Sequence, residues 1–317
     1  MEQPIYDLLI IGAGCAGASA AMYAARLNMK TAMIAELPGG LITTTHIVEN
    51  WPGIKSISGP DLAQSILDHA LSYNVPLFNE RVLDVMAATA AAPAGTIRGF
   101  LVKTASYLYK AKTVLFATGT EHKKLGVPGE KEFANKGVSY CALCDASFYK
   151  NKVVAVVGSG DSAAKEAILL AEKSAKVHIL VRKDAMKAEG PNMAKINDLI
   201  KSSKIEVHYK TEIAEIIGTS KVEKVKLKDG SELALDGIFV AVGHLPLSEV
   251  ASAVGVKINE KGEIMINRNS ETNVPGIYAA GDVTDSVFKQ AITSSAEAVT
   301  AAYSAFVYLK KNTVVFN

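Results

Sequence analysis

Cysteine is scarce in this chain: there are three in 317 residues. An odd number of that size cannot build the disulfide framework of a small secreted domain, so a reducing cytosol is the expected compartment. An excess of one charge is missing too. Lys and Arg number 34 against 32 Asp and Glu, for a formal net charge of +2 with both signs interleaved. No basic face or tail is left for nucleic acid or an anionic membrane, and neither is expected as a partner. One long stretch lacks charge, Leu8 to Ala25, and its length reaches the lower limit for a membrane span. Gly12, Gly14 and Gly17 interrupt it, and Glu2 and Asp7 stand where a signal peptide would be positive. It reads as strand, glycine turn and small-residue helix. The six histidines (His46, His69, His122, His178, His208 and His244) show no HxxH or HExxH spacing. Surface or core roles are expected for them, and no metal site. The one tryptophan, Trp51, falls in the turn Glu49 to Gly53, where packing is the expected role.

What is present is a repeat. Ile5 to Glu36 reads as an apolar strand, the loop Gly12-x-Gly14-x-x-Gly17, a helix of small residues to Leu27 and a second strand ending in Glu36. From Gly12 to Gly158 the pattern recurs: strand Val153 to Val157, loop Gly158-Ser159-Gly160-Asp161-Ser162-Ala163, helix Asp161 to Lys173, strand Val177 to Val181. The first glycine makes the tight turn and the second lets backbone N–H groups approach a pyrophosphate. The third position must be small so that helix and strand pack. One copy alone could be a structural turn; two in register imply two dinucleotide sites. Glu36 can accept from a free ribose 2'-OH, which suits FAD or NAD. Arg182, Lys183 and Lys187 can neutralise a 2'-phosphate, which suits NADP, although a solvated charged loop would look the same.

Val114 to Gly119 and Ile238 to Gly243 close the two units as buried parallel strands with a glycine exit. A further strand, Gly276 to Ala280, leads through Gly281 and Asp282 to an alanine-rich helix from about Phe288 to Leu309. This returns the chain to its first domain. Residues 1–119 with 246–317 then form one domain and residues 120–245 an insertion. Ala87 to Ala94 reads as a surface hairpin loop without function.

Cys141-Ala142-Leu143-Cys144-Asp145 precedes the second glycine loop in a turn-like stretch. The spacing allows a disulfide or half a zinc site, but no second CxxC or close histidine pair exists to complete the latter. A dithiol associated with two dinucleotide sites describes a flavin disulfide reductase. Here the motifs Gly12–Gly17, Gly39–Gly40 followed by the Thr43–Thr45 and Glu49–Gly53 stretches, Cys141–Asp145, Gly158–Ala163, Val274–Asp282 and Lys289–Ala291 resemble the low-molecular-weight thioredoxin reductases over essentially the whole chain.

The resemblance implies an α/β chain of two Rossmann-like dinucleotide-binding domains, the second inserted into the first. It implies a FAD site drawn from Gly12, Gly14, Gly17, Glu36, Gly39, Gly40, Leu41, Asn50, Gly281, Asp282, Lys289, Gln290 and Ala291. It implies an NADPH site from Gly158, Ser159, Gly160, Asp161, Ser162, Ala163, Arg182, Lys183 and Lys187. Cys144 would face the flavin, Cys141 would exchange with thioredoxin or a thioredoxin-like protein, and Asp145 would serve as acid or base. A homodimer is implied as well, and because nicotinamide and dithiol belong to one domain yet need one flavin face, hinges are expected near Thr120 and His244. Three positions depart from the family pattern. Leu41 replaces a glutamine, Val181-Arg182-Lys183 with Lys187 replaces HRRxxxR, and Lys289 replaces an arginine. Lysine keeps the charge but lacks the bidentate fork, so ferredoxin stays open as a donor. Another redox protein stays open as acceptor, and so does a flavin-binding redox sensor without turnover.

Overall fold

The uncharged stretch resolves into strand β1 (Ile5–Ile11), a glycine turn and helix α1 (Cys15–Arg26), followed by strand β2 (Thr31–Ile34). The structure, a computed structural model, describes residues 4–45, 48–88, 96–188 and 190–316. His46 and most of the alanine-rich stretch from Ala87 lie outside the described residues. Among the described residues no helix is long and apolar enough to cross a membrane.

From Leu8 to Ile11 β1 is apolar because both of its faces are covered there. Leu8 and Ile10 meet the alanines of α1, while Tyr6, Leu9 and Ile11 enter the core on the other side. It pairs in parallel with β2 and with β3 (Leu108–Phe116), Leu8 standing opposite both Thr31 and Thr113. Asn28 takes the left-handed conformation, φ 59°, which asparagine tolerates, and turns the chain from α1 towards β2. β2 ends at Ile34, opposite Ile11 where β1 gives way to Gly12. Glu36 therefore lies past the strand and not at its last position.

The chain divides into two compact units, Met1–Glu121 with Leu245–Asn317, and His122–His244. The second unit contains β4 (Val153–Val157), α2 (Asp161–Ala171), β5 (Lys176–Val181), β6 (Ile205–Tyr209) and β7 (Gly237–Val240). Its parallel sheet runs β6, β5, β4, β7 and the short strand Val138–Ser139. Val154, Val156, Val177 and Ile179 pack on Ala163, Ala164 and Ala167 of α2. Ala155, Val157 and Leu180 pack on the opposite side against Ile213, Ile216 and Val225 of a three-stranded antiparallel sheet. α2 stops at Ala171, short of Lys173, because the N–H groups of Lys173 and Ser174 both return to the Leu170 carbonyl and close the last turn.

The chain re-enters the first unit at Leu245 and adds β8 (Ile277–Ala279), whose Ile277 lies opposite Val114 of β3, and then helix α3 (Ala291–Lys311). α3 begins at Ala291 and not at Phe288 because Gln290, in extended backbone, forms a reciprocal capping box with Thr293. Ala298, Ala301, Ala302 and Ala305 of α3 share a core with Ala18, Ala20, Ala21 and Ala24 of α1. Alanine faces let the two helices approach closely.

Candidate active site

In the first unit the glycine loop is sterically determined. A Cβ on Gly17 would stand 1.9 Å from the Gly12 carbonyl oxygen, and one on Gly12, at φ +109°, would stand 2.2 Å from the Ala117 carbonyl oxygen. Gly39 donates to the Ala13 carbonyl at 2.8 Å and bridges Gly14. A Cβ on Gly40, at φ +66°, would lie 3.0 Å from the Gly14 Cα. The paired glycines therefore rest on the fingerprint loop. α1 opens with no acidic residue in its first turn and no side-chain cap. Its first N–H groups thus suit an anion, and this donor set fits the pyrophosphate of a dinucleotide.

Several of the other residues expected of a flavin site meet near the start of α3. The Asn50 amide donates to Gln290 Oε1 at 3.0 Å across 240 positions of chain. Asp282 accepts from Ser294 Oγ at 3.1 Å. Gly281, at φ +85°, lies where a Cβ would be 3.1 Å from the Ala16 Cβ. Lys289 points its ammonium to Glu263 at 2.6 Å and to the Asp282 and Thr284 carbonyls at 2.8 and 2.9 Å. Its three donors order the Asp282 loop and leave none over for a ligand. Leu41 begins the turn Leu41–Thr44, Ala291 begins α3, and Glu36 is exposed with Arg81 Nη1 3.8 Å away. Cys15, buried at the start of α1, has its thiol pushed up to about 11 by burial and by the Asp282 carboxylate, so it stays a neutral thiol.

In the second unit a Cβ on Gly158 would meet the Ala241 carbonyl oxygen at 2.4 Å, whereas one on Gly160 would project into open space. That space is where a pyrophosphate would approach backbone N–H groups, so this loop fits a dinucleotide too. Asp161, an acid in the first turn of α2, is paired with Lys165 Nζ at 2.5 Å and accepts from the Asn192 amide at 2.6 Å. The Lys187 N–H donates to the Ser159 carbonyl at 2.6 Å, which ties the loop after β5 to the fingerprint. Arg182, Lys183 and Lys187 are exposed on that loop, while Ser162 is exposed and Ala163 buried within α2.

The same unit carries the cysteine pair. Cys141 and Cys144 form a disulfide with Cα atoms 5.3 Å apart. Cys141 caps the turn Ala142–Asp145: its extended backbone lets the Cys144 N–H reach Cys141 Sγ at 3.2 Å. A donor aimed at that sulfur favours negative charge there once the bond is reduced. Two residues that the spacing of motifs does not reveal complete the site. Ser139, buried on the edge strand, donates to Asp145 Oδ2 at 2.6 Å and accepts from the Cys141 N–H at 3.2 Å. Glu166 on α2 has its carboxyl pushed up to about 7 by burial, opposed by the Ala142 N–H that donates to it. Tyr149 is pushed up to about 12 by burial and then by Asp145 and Asp236.

Four of the histidines pair in space. His122 and His244 have ring centroids 4.5 Å apart, and His178 Nδ1 lies 2.9 Å from His208 Nε2. The sequence signal for the second pair was the alternation Glu206-x-His208, which puts both side chains on one face of a strand.

Comparison with known proteins agrees with this geometry. Residues 6–299 match the family "Pyridine nucleotide-disulphide oxidoreductase". The chain is 38% identical to a thioredoxin reductase of Bacillus subtilis, over 98% of this chain and 96% of the relative. A solved thioredoxin reductase from Streptococcus pyogenes superposes with a TM-score of 0.85 at 34% identity, over 98% of this chain and 99% of that one. A ferredoxin-flavin thioredoxin reductase from Clostridium acetobutylicum aligns with a TM-score of 0.51 at 31% identity, over 98% and 99% of the two chains.

Proposed function

Because this chain belongs to the pyridine nucleotide-disulphide oxidoreductases, and within them to the thioredoxin reductases, we propose that it uses FAD to carry two electrons from NADPH to the Cys141–Cys144 disulfide and thence to a thioredoxin or thioredoxin-like protein. One observation carries the reading: the Cys141–Cys144 bond, with Asp145 held by Ser139 beside it, belongs to the same unit as a glycine loop whose second strand leads to Arg182. Bound flavin supplies hydride acceptance from nicotinamide and two-electron release to a disulfide.

The remaining steps belong to the chain's own groups. Reduced Cys141, as thiolate, attacks one sulfur of the partner's disulfide and frees the other as a thiolate, which takes a proton. Cys144 then attacks Cys141 Sγ, which releases the second partner sulfur and restores the Cys141–Cys144 bond. Asp145, adjoining Cys144 in sequence, is the group that passes protons to the departing sulfurs. Exchange of this kind runs close to balance when the enzyme couple lies near that of thioredoxin, about −270 mV.

Arg182, Lys183 and Lys187 support NADPH over NADH, since position 182, which matches Glu36 of the first repeat, carries a cation and not an acid that could accept from a free 2'-OH. Stopped-flow reduction by each nicotinamide tests this: NADPH is faster, and Arg182→Ala slows NADPH while sparing NADH. Ferredoxin is the second reading, favoured by the lysines standing for arginines and by the Clostridium neighbour. Equal and very slow reduction by both nicotinamides, insensitive to Arg182, selects it. Cys144→Ser abolishes thioredoxin turnover and leaves flavin reduction intact. A homodimer in a reducing cytosol completes the proposal. Family membership and the exposed apolar side chains of Val287, Phe288 and Tyr303 support the dimer, and sedimentation at micromolar concentration tests it.

A further inference from the structure

Apart from the redox site, three potential ligand groups converge on one face of the second unit's sheet. β5 and β6 are parallel neighbours with His178 opposite Glu206 and Leu180 opposite His208. Alternation places Lys176, His178, Glu206 and His208 on the same side, the last two on the edge strand β6. His178 is 6% exposed, whereas the side chains of His208 and Glu206 retain 25% and 47% of their exposure. One ligand atom from each of the three residues lies within 4.8 Å of the other two.

Hydrogen bonding accounts for only part of this arrangement. His178 Nδ1 and His208 Nε2 share a proton at 2.9 Å, but Glu206 Oε2 stands 3.8 Å from His178 Nδ1 and Glu206 Oε1 stands 3.6 Å from His208 Nε2. Those distances are too long for hydrogen bonds. The 2.9 Å between the two ring nitrogens and the 3.6 Å from Oε1 to His208 Nε2 lie on either side of the spacing between corners of a tetrahedron whose centre is about 2.05 Å from each ligand, roughly 3.3 Å. We propose that His178 Nδ1, His208 Nε2 and a Glu206 carboxylate oxygen form a binding site for a divalent transition-metal ion of the zinc class, with the fourth position open to solvent.

The chemistry of the donors selects that class. Two imidazoles and a carboxylate are a zinc set with an open position, while calcium and magnesium require oxygen ligands. His178 is buried beside His208, and the uncharged imidazole is the form that ligates. Lys176 forms an ion pair with Glu206 Oε2. Oε1, the oxygen nearer His208, can ligate while Oε2 keeps the lysine, which then orients the carboxylate from behind. An ion there ties edge strand β6 to β5.

The test uses the flavin-loaded protein with the Cys141–Cys144 disulfide intact, so that neither redox cysteine can take metal. Zinc titrated against a chromophoric chelator binds one ion per chain and raises the thermal midpoint. His208→Gln and Glu206→Gln, both at partly exposed positions, keep their flavin and fold, weaken zinc binding at least tenfold and lose the rise in midpoint. His69→Gln changes neither. No zinc uptake by the wild type, uptake by both variants equal to wild type, or an equal response to magnesium would each overturn the proposal.

Discussion

Replacing Glu166 by Gln converts a buried titration into a measurable stability difference. The carboxyl lies on α2, its Oε2 is buried without a hydrogen-bond partner, and the Ala142 N–H donates to the group. Burial pushes its pKa from 4.5 up to about 7. In the unfolded chain the same carboxyl ionises near 4.5, so between these two values the folded protein holds a proton that the unfolded chain has lost. This group's contribution to stability is therefore full below pH 4.5, falls as pH rises towards 7 and is level above. The shift corresponds to about 3 kcal/mol in favour of the neutral form. Glutamine mimics that neutral form: its oxygen accepts from Ala142, and its amide replaces an oxygen that already had no partner. Glu166→Gln should therefore match the wild type near pH 4.5 and exceed it by up to about 3 kcal/mol at pH 8, a shift of up to about 1 M in urea midpoint. Urea unfolding followed by far-ultraviolet circular dichroism at half-unit pH steps measures this. A difference that stays constant from pH 4.5 to 8, or a variant less stable than the wild type at pH 8, would refute the reasoning.

Three further outcomes follow from the same geometry. Gly17→Ala puts a methyl 1.9 Å from the Gly12 carbonyl oxygen; such overpacking costs about 1–3 kcal/mol or more, and the purified variant should be colourless where the wild type is yellow. Ser139→Ala removes the 2.6 Å bond to Asp145, worth about 1.5–3 kcal/mol for a charged acceptor. Steady-state reduction of thioredoxin should fall about ten- to a hundredfold with flavin content unchanged, and turnover within twofold of wild type contradicts the role. Cys15, with its thiol pushed up to about 11, should resist iodoacetamide at pH 8 in the folded reduced protein while Cys141 and Cys144 react, as peptide mass spectrometry reads directly.

Much of this protein is written locally along its chain. Small residues at Gly12, Gly14 and Gly17, and again at Gly158, Gly160 and Ala163, each flanked by an apolar run and a helix of small residues, specify two strand–turn–helix units because their steric demands act over a few neighbouring positions. The Cys141–Cys144 spacing is local in the same sense: one turn of chain brings the sulfurs within bonding reach. Element ends were less legible, since Gln290 capping α3 and the return of two N–H groups to Leu170 depend on backbone geometry that periodicity does not carry. What only the tertiary structure decided are the meetings of distant residues. Asn50 finds Gln290, Glu166 finds the backbone beside Cys141, and His178 finds Glu206 and His208. Each depends on which strands are neighbours and in what register. A slip of one residue in β6 would carry both Glu206 and His208 to the opposite face, and no pattern within either strand encodes that choice.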